Sequence, residues 1–392
     1  MERSLCRPYA VHSTVHHLHD FKGEGRVEQD VLNLPVIQAN PMAHFASMSE
    51  EEIAERIQSI RGKMGDDLLI LGHHYQSDAI IQHADMTGDS FLLAQLARSS
   101  NATHVVFCGV HFMAESADIL TSDEQMVFLP NLRAGCSMAD MATLTDVETA
   151  WSQLSEHRVI PVTYMNSSAE IKAFVGRHGG TVCTSSNAHT AMKWAFEEVG
   201  EEGKVLFIPD QHLGRNTALE MGMTLDSMMV WNPMAPPEPQ EIVGKALLLW
   251  HGYCSVHQRF RVDQIEQFRE EHEKGKVVVH PECSNAVVEM ADAVGSTEFI
   301  RSWVSDQKPG DVIGVGTEVH LVQRLNNLYP DRTVLCLDDS VCPCSTMYMI
   351  QPPYLLALLE SLFEGNPFNQ ITVEQDTAEH ARRALEQMLE LR

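Results

Sequence analysis

The feature that most constrains the fold of this chain is a threefold repeat of apolar strands and helical segments. The first unit begins with the apolar run 68–72, the second with 159–162 and the third with 277–279. Each run has the length of a strand, ends in polar residues and is followed by helical stretches. Strands that alternate with helices predict parallel sheets with right-handed crossovers, which places the chain in the α/β class.

The repeat also predicts how 392 residues divide into domains. Ser49 and Glu52 form a capping-box pattern ahead of Ile53 and Ile57, so the first helix is expected to begin here. We expect an N-terminal extension over 1–48, α/β domains over 49–144, 145–262 and 263–352, and C-terminal helices over 353–392 that pack back on domain 1.

Each repeat unit carries a cysteine near its end, and we take the three to be Cys136, Cys254 and Cys342. Ser90 precedes Cys136 by 46 positions, and Ser296 precedes Cys342 by the same number. This spacing favours Cys342 over its neighbour Cys344, which stays open as an alternative. Three converging thiolates fit an iron–sulfur cluster, which normally takes four cysteines, so one iron would lack a protein ligand. That iron would be free to bind substrate as a Lewis acid.

Polar side chains follow the predicted strands of all three units. In α/β folds, sites gather at the carboxyl ends of the strands. A single Ser or Asn there is more often an ordinary cap or turn residue. Their recurrence at equivalent places in three units instead indicates one central cavity. The residues are His73, Tyr75, Ser90, Tyr164, Asn166, Ser185, His280, Glu282, Ser296 and Thr297.

Composition excludes several classes of function. Asp and Glu number 54 against 28 Lys and Arg, a formal charge of −26, which argues against binding to nucleic acid or anionic membranes. No apolar stretch approaches the ~18 residues of a membrane span, and the N-terminus lacks the apolar core of a signal peptide. Nine scattered cysteines do not form a disulfide pattern, which favours a reducing cytoplasm. The histidine-rich stretch 12–19 is more typical of a poorly ordered arm than of a metal site.

Short motifs in a fixed order identify a family resemblance. Over roughly residues 50–360 the chain resembles the quinolinate synthases, iron–sulfur enzymes of de novo NAD biosynthesis. The segments that carry the resemblance are 73–76, 88–90, 112–115, 134–137, 164–170, 183–187, 212–215, 252–257, 280–283, 294–297 and 316–318.

The resemblance implies a fold and a reaction. Members of the family consist of three similar α/β domains around a pseudo-threefold axis, with the active site at the centre. They condense iminoaspartate with dihydroxyacetone phosphate, with loss of phosphate and two waters, to give quinolinate. Each domain gives one cysteine to a 4Fe-4S cluster, and Cys136, Cys254 and Cys342 match these ligands. An aspartate-oxidising enzyme and the iron–sulfur assembly machinery would be partners.

The resemblance also assigns roles to single residues. Glu282 would be the main acid–base group, and Tyr75 a mobile lid residue. Phosphate elimination and proton transfer would involve His257, His280, Glu282, Ser296 and Thr297. The half derived from iminoaspartate would be bound by His73, Tyr75, Ser90, Tyr164, Asn166 and Ser185.

The substrates are anionic and the chain is acidic, so we expect a locally electropositive cavity. Ser90, Ser185 and Ser296 are each expected to open a helix, where backbone N–H groups favour anions. His73, His257 and Arg215 would add positive charge.

The sequence is also compatible with two other functions. One is a different cluster-dependent dehydratase, and the other is an iron–sulfur carrier without catalytic activity.

Overall fold

The computed structural model describes Phe45, residues 48–338 and residues 343–391. The histidine-rich stretch of the predicted extension and Cys342 lie outside these residues. Within them, helices alternate with strands that form three separate, mostly parallel sheets. This arrangement confirms the predicted α/β class.

The first sheet and its helices are formed by the N-terminal part of the described residues. Ser49 and Glu52 make both hydrogen bonds of the capping box, and burial of each isoleucine on that helix stabilises the fold by roughly 1.5–3 kcal/mol. The elements are α1 (Glu50–Met64), β1 (Leu68–His73), α2 (Asp78–Ile81), β2 (Met86–Gly88), α3 (Ser90–Ser99), β3 (His104–Cys108), α4 (His111–Leu120) and β4 (Met126–Phe128). The strands lie parallel in the order β4-β3-β1-β2.

The second sheet repeats this order and adds a strand. Its elements are α5 (Leu144–Gln153), β5 (Val159–Tyr164), α6 (Ala169–Arg177), β6 (Thr181–Cys183), α7 (Ala188–Val199), β7 (Lys204–Ile208), α8 (Gln211–Glu220), β8 (Met228–Trp231), α9 (Pro239–Ile242) and β9 (Leu247–Trp250). The sheet order is β6-β5-β7-β9-β8, all parallel. β9 is not predicted from the sequence. It takes the place beside β7 that β4 takes beside β3, and β8 becomes the edge strand.

The third sheet has the same core order without an added strand. Its elements are α10 (Val262–Glu271), β10 (Lys276–Val279), α11 (Asn285–Met290), β11 (Ala293–Val294), α12 (Thr297–Ser305), β12 (Val312–Gly316), α13 (Val319–Leu328) and β13 (Thr333–Cys336). The parallel strands run in the order β11-β10-β12-β13. The three sheets therefore share one topology. Within each sheet the equivalent strands run parallel, so their carboxyl ends lie at one edge.

The C-terminal segment returns to the earlier sheets. It consists of α14 (Pro352–Phe363), β14 (Gln370–Ile371) and α15 (Gln375–Glu390). α14 packs on α1, where Arg56 pairs with Glu360, and β14 adds an antiparallel edge to β4. α15 packs mainly on α6 and β6 of the second sheet, not on the first sheet alone. At Gly176 a Cβ atom would lie 2.0 Å from the His380 carbonyl oxygen, so this close approach of α6 to α15 requires glycine.

No helix in the part of the chain that the structure describes is long and apolar enough to cross a membrane.

Candidate active site

A cavity of about 70 Å³ lies where strand ends from all three sheets meet. It is lined by nearly all of the site residues predicted from the sequence. These are His73, Tyr75, Ser90, Cys136, Tyr164, Asn166, Ser185, Cys254, His257, His280, Glu282 and Thr297. Two predicted residues are not among them, because Cys342 lies outside the described residues and Ser296 faces a neighbouring cleft.

The three predicted helix-opening serines differ in position. Ser90 is the first residue of α3, and Ser296 caps α12, where its hydroxyl accepts from the Phe299 N–H at 3.3 Å. Ser185 lies in a turn, and α7 begins only at Ala188. The expectation that Ser185 opens a helix was therefore wrong, although its side chain still reaches the cavity.

Three cysteine loops with the same local structure border the cavity. Cys136, Cys254 and Cys344 all line it. Each is followed by a serine and then, three residues after the cysteine, by a short 3₁₀ helix. In each loop the cysteine carbonyl accepts a backbone hydrogen bond from the fourth residue on, at 3.1, 3.0 and 2.9 Å respectively. Cys344 is thus the structural counterpart of the other two in the third unit.

Buried acids occupy equivalent positions beside the second and third of these loops. Asp210 and Glu318 are fully buried N-cap residues of α8 and α13. Glu318 Oε1 accepts from the backbone N–H of Cys344 at 3.3 Å. Burial and then the charge of Glu282 raise the pKa of the Asp210 carboxyl, while backbone N–H groups that include that of Cys254 oppose the rise. Glu318 therefore anchors the Cys344 loop, and Asp210 takes the equivalent position beside the Cys254 loop.

The cysteines at the cavity would lose their protons only beside a positive charge. Burial raises the pKa of Cys136 to about 12, and the nearby Cys344 contributes to the rise. Burial also raises the pKa of Cys254, with Glu282, Cys136 and Cys344 as further causes. Thiolates crowded in a buried place need a cation, and a metal centre provides one. The donor set therefore fits a thiolate-ligated metal cluster.

A chain of side-chain contacts crosses the cavity from one sheet to the next. Glu282 Oε1 accepts from the Tyr164 hydroxyl at 2.6 Å, and its Oε2 lies 2.8 Å from His257 Nδ1. His257 Nε2 lies 3.1 Å from the Thr317 hydroxyl, which lies 2.7 Å from the Tyr75 hydroxyl. Residues of all three units thus share one buried hydrogen-bond network, with Glu282 at its centre.

Glu282 is held as a carboxylate. Burial alone would raise its pKa, but the His257 and His280 rings and the hydrogen bonds from His257 and Tyr164 hold the pKa below its usual range. Burial and the charge of Glu282 raise the pKa of the Tyr164 hydroxyl, which therefore keeps its proton and donates a hydrogen bond to the carboxylate. The site therefore contains a proton acceptor held by a neutral hydrogen-bond donor.

His73 and His280 are neutral donors, placed in the same way in the first and third units. His73 Nδ1 accepts from the Tyr75 N–H at 3.1 Å, and His280 Nδ1 accepts from the Glu282 N–H at 3.3 Å. Burial is the main cause that lowers the pKa of both rings to about 3. Each ring then carries its proton on Nε2.

His73 and Arg215 do not supply the positive charge that the sequence predicts for the cavity. His73 is neutral, because burial disfavours its charged form. Arg215 does not line the cavity and donates to Gln211 Oε1 at 3.1 Å on its own helix.

One further group has the ligand types of a metal site. Donor atoms of Cys254, His257 and Glu282 all lie within 4.8 Å of one another. The contact between His257 and Glu282 already occupies one donor atom of each, and Tyr164 occupies the second Glu282 oxygen. Of the three, the Cys254 sulfur is the atom most readily given to a metal.

The fold and the site define an α/β enzyme whose buried centre combines thiols with acid–base groups. A family model described as quinolinate synthetase A protein matches residues 55–390. The chain belongs to the quinolinate synthase family, and it is an enzyme of NAD biosynthesis.

Curated relatives agree over most of their length. The chain is 51% identical to the quinolinate synthase of Corynebacterium glutamicum over 380 residues, which cover 94% of this chain and 95% of that protein. It is 51% identical to the quinolinate synthase of Streptomyces coelicolor over 356 residues, with 88% and 90% covered. It is 50% identical to that of a Nocardioides species, with the same coverage.

Proposed function

We propose that this protein condenses iminoaspartate with dihydroxyacetone phosphate to form quinolinate, with loss of phosphate and two waters. The observation that carries the proposal is the convergence of three equivalent cysteine loops and the Glu282 network on one cavity. Dehydration requires repeated proton transfer and stabilisation of departing oxygens. The Glu282 network would serve the first need, and a metal cluster at the neighbouring cysteines would serve the second.

We further propose that a 4Fe-4S cluster is bound by Cys136, Cys254 and Cys344. The matching 3₁₀ helices and carbonyl hydrogen bonds support Cys344 as the third ligand. So does the anchoring of its backbone by Glu318, which parallels the place of Asp210 beside Cys254. Cys342, favoured by the 46-residue spacing, is followed by proline and not by the serine found after the other three. When bound, a cluster with an open iron would act as a Lewis acid.

Side chains of the protein are proposed to transfer protons and to bind the substrates. Glu282 is the proposed base, because it is a buried carboxylate with two hydrogen-bonded partners. His73 and His280 are proposed to donate from Nε2 to substrate carboxylate or phosphate oxygens. Side chains proposed to orient the two substrates are Tyr75, Ser90, Asn166, Ser185 and Thr297.

The alternatives are less well supported. A carrier protein has no use for a carboxylate held between a tyrosine and a histidine at the centre of a buried network. A different cluster-dependent dehydratase would use similar groups, so substrate is what separates it from the proposed function.

An anaerobic assay tests the proposed function directly. Protein purified without oxygen is given dihydroxyacetone phosphate together with iminoaspartate made by an aspartate-oxidising enzyme, and quinolinate is measured by chromatography. We expect quinolinate from the cluster-loaded protein and none after the iron is removed. A loaded protein that forms no quinolinate but dehydrates another hydroxy acid would contradict the proposal.

We also propose a cytoplasmic setting in which an aspartate-oxidising enzyme supplies iminoaspartate and assembly proteins supply the cluster. The support is chemical. Iminoaspartate hydrolyses readily and must be made nearby, and free buried thiols are kept reduced in the cytoplasm.

Thr317 is a residue whose role the sequence does not reveal. Its buried hydroxyl contacts both Tyr75 and His257. We expect Thr317→Val to lower kcat/KM for quinolinate formation about tenfold, because two buried polar groups lose a shared partner at a cost of about 1–3 kcal/mol.

Thr317→Ser is the matched control. It keeps the hydroxyl and loses only the methyl group, so it should keep most of the activity. Equal losses in the valine and serine variants would show that packing, and not the hydroxyl, is what matters at this position.

A further inference from the structure

Lys172 is a buried cation for which the proposed chemistry has no use. It lies on α6 and its side chain is fully buried. The ammonium donates to the Ser167 carbonyl and lies 5.4 Å from the centre of the Phe112 ring. Among the described residues, no carboxylate oxygen lies within 4 Å of it. A buried charge is costly unless opposite charge is near.

The position of Lys172 relates it to the cavity. Phe112 lines the cavity together with Cys136, and the ammonium lies against that ring. Burial lowers the pKa of Lys172 to about 8, and the charges of Glu115 and Cys136 oppose this and favour its charged form. Glu115 is itself occupied by the Ala169 N–H at 3.1 Å and by His111 at 3.5 Å. Lys172 therefore lies behind the wall of the site, on its Cys136 side.

The groups at the cavity carry negative charge that a nearby cation such as Lys172 would offset. Glu282 is a carboxylate, and the ligand cysteines become thiolates when a cluster binds. His73 and His280 are neutral and do not offset this charge. A cluster bound by three thiolates gains further negative charge on reduction, and nearby positive charge stabilises that state.

We propose that Lys172 is a positioning residue for the cluster, whose buried ammonium behind Phe112 stabilises the bound cluster and favours its reduced form. This inference rests on the proposed function, because it requires a cluster at Cys136. It adds a charged residue that does not touch the cavity itself.

Lys172→Met tests the inference, with Lys204→Met as the matched control. Lys204 is also a buried lysine that donates only to carbonyl oxygens, of Ile242 at 3.1 Å and of Lys245 at 2.6 Å, and it does not line the cavity. The readouts are the reduction potential from a titration followed by electron paramagnetic resonance, the rate of cluster loss to an iron chelator, and the melting temperature.

We expect Lys172→Met to lower the reduction potential and to lose its cluster about tenfold faster, the range seen when residues that support metal ligands are removed. Lys172→Arg keeps the charge, so its reduction potential and its rate of cluster loss should stay near those of the wild type. Lys204→Met should lower the melting temperature without changing the potential. A potential and a rate of cluster loss in Lys172→Met that equal those of Lys204→Met would overturn the inference.

If Lys172→Met does not fold, a second pair of variants still tests the inference. Glu115→Gln should raise the reduction potential, because it removes negative charge near the same cation. Lys172→Met combined with Glu115→Gln leaves no unpaired buried charge, and its potential should lie below that of Glu115→Gln alone. Equal potentials would overturn the inference. A wild type that binds no cluster overturns the proposed function, and the inference with it; a loaded wild type with unshifted variants overturns the inference alone.

Discussion

Glu282→Gln is expected to lower kcat for quinolinate formation by about 10²–10⁴-fold, the usual contribution of a positioned acid–base group. The amide keeps the size of the side chain but cannot accept a proton. In the wild type, Tyr164 and His257 each donate to one carboxylate oxygen of Glu282. The amide places an N–H₂ group opposite one of these two donors. Steady-state kinetics under anaerobic conditions measure the loss.

The cluster should remain in this variant, because Glu282 is not a proposed ligand. Absorption of the purified protein checks this. Glu270→Gln makes the same chemical change at an exposed position of α10 and should leave the kinetics unaltered. If Glu282→Gln kept its cluster and more than about a tenth of the wild-type kcat, Glu282 would not be the base.

Cys344→Ala is expected to lose most of its bound iron and with it nearly all quinolinate formation, whereas Cys342→Ala should retain both. The reason is the shared loop structure that makes Cys344, and not its neighbour, the counterpart of Cys136 and Cys254. Iron and sulfide per chain, measured after anaerobic reconstitution, separate the two outcomes.

Cys183→Ala is a suitable control for this pair. Cys183 is a buried cysteine of β6 that does not line the cavity, so its loss should cost some stability and no iron. The opposite pattern, with iron lost from Cys342→Ala and kept in Cys344→Ala, would restore the ligand set predicted from residue spacing.

The fold class was predictable because it depends on local pattern repeated three times. The apolar run at 68–72 and its two counterparts all became central strands, and the capping box at Ser49 opened a helix. β9 was missed because the middle unit is longer than the others and includes β8 and α9 ahead of it. A repeat inferred from matching positions loses its register at such an insertion.

The choice between Cys342 and Cys344 depends on the same kind of counting. Loops vary in length at little energetic cost, so equal spacing from Ser90 and Ser296 is a weak guide. The sequence also contains a pattern that favours Cys344, since Cys136, Cys254 and Cys344 are each followed by serine and Cys342 is not. Cys136 and Cys344 also come eight positions after the last residues of β4 and β13.

Other parts of the site could not be found from sequence, because they depend on contacts between units. Thr317 joins Tyr75 to His257 across about 240 and 60 positions of the chain. Burial is likewise invisible in the sequence, and it is burial that makes His73 neutral and encloses Lys172. Residue types were predictable, whereas their charges and partners required the fold.

The central claim is that thirds of the chain far apart in sequence hold one cluster whose open iron faces the substrate cavity. Mössbauer spectroscopy of anaerobic, iron-57-labelled protein tests it most directly, with and without quinolinate. We expect a cluster of about four irons per chain, with one iron signal that changes when quinolinate is added. A protein without a cluster, or one whose iron signals all stay unchanged on addition of saturating quinolinate, would contradict the account.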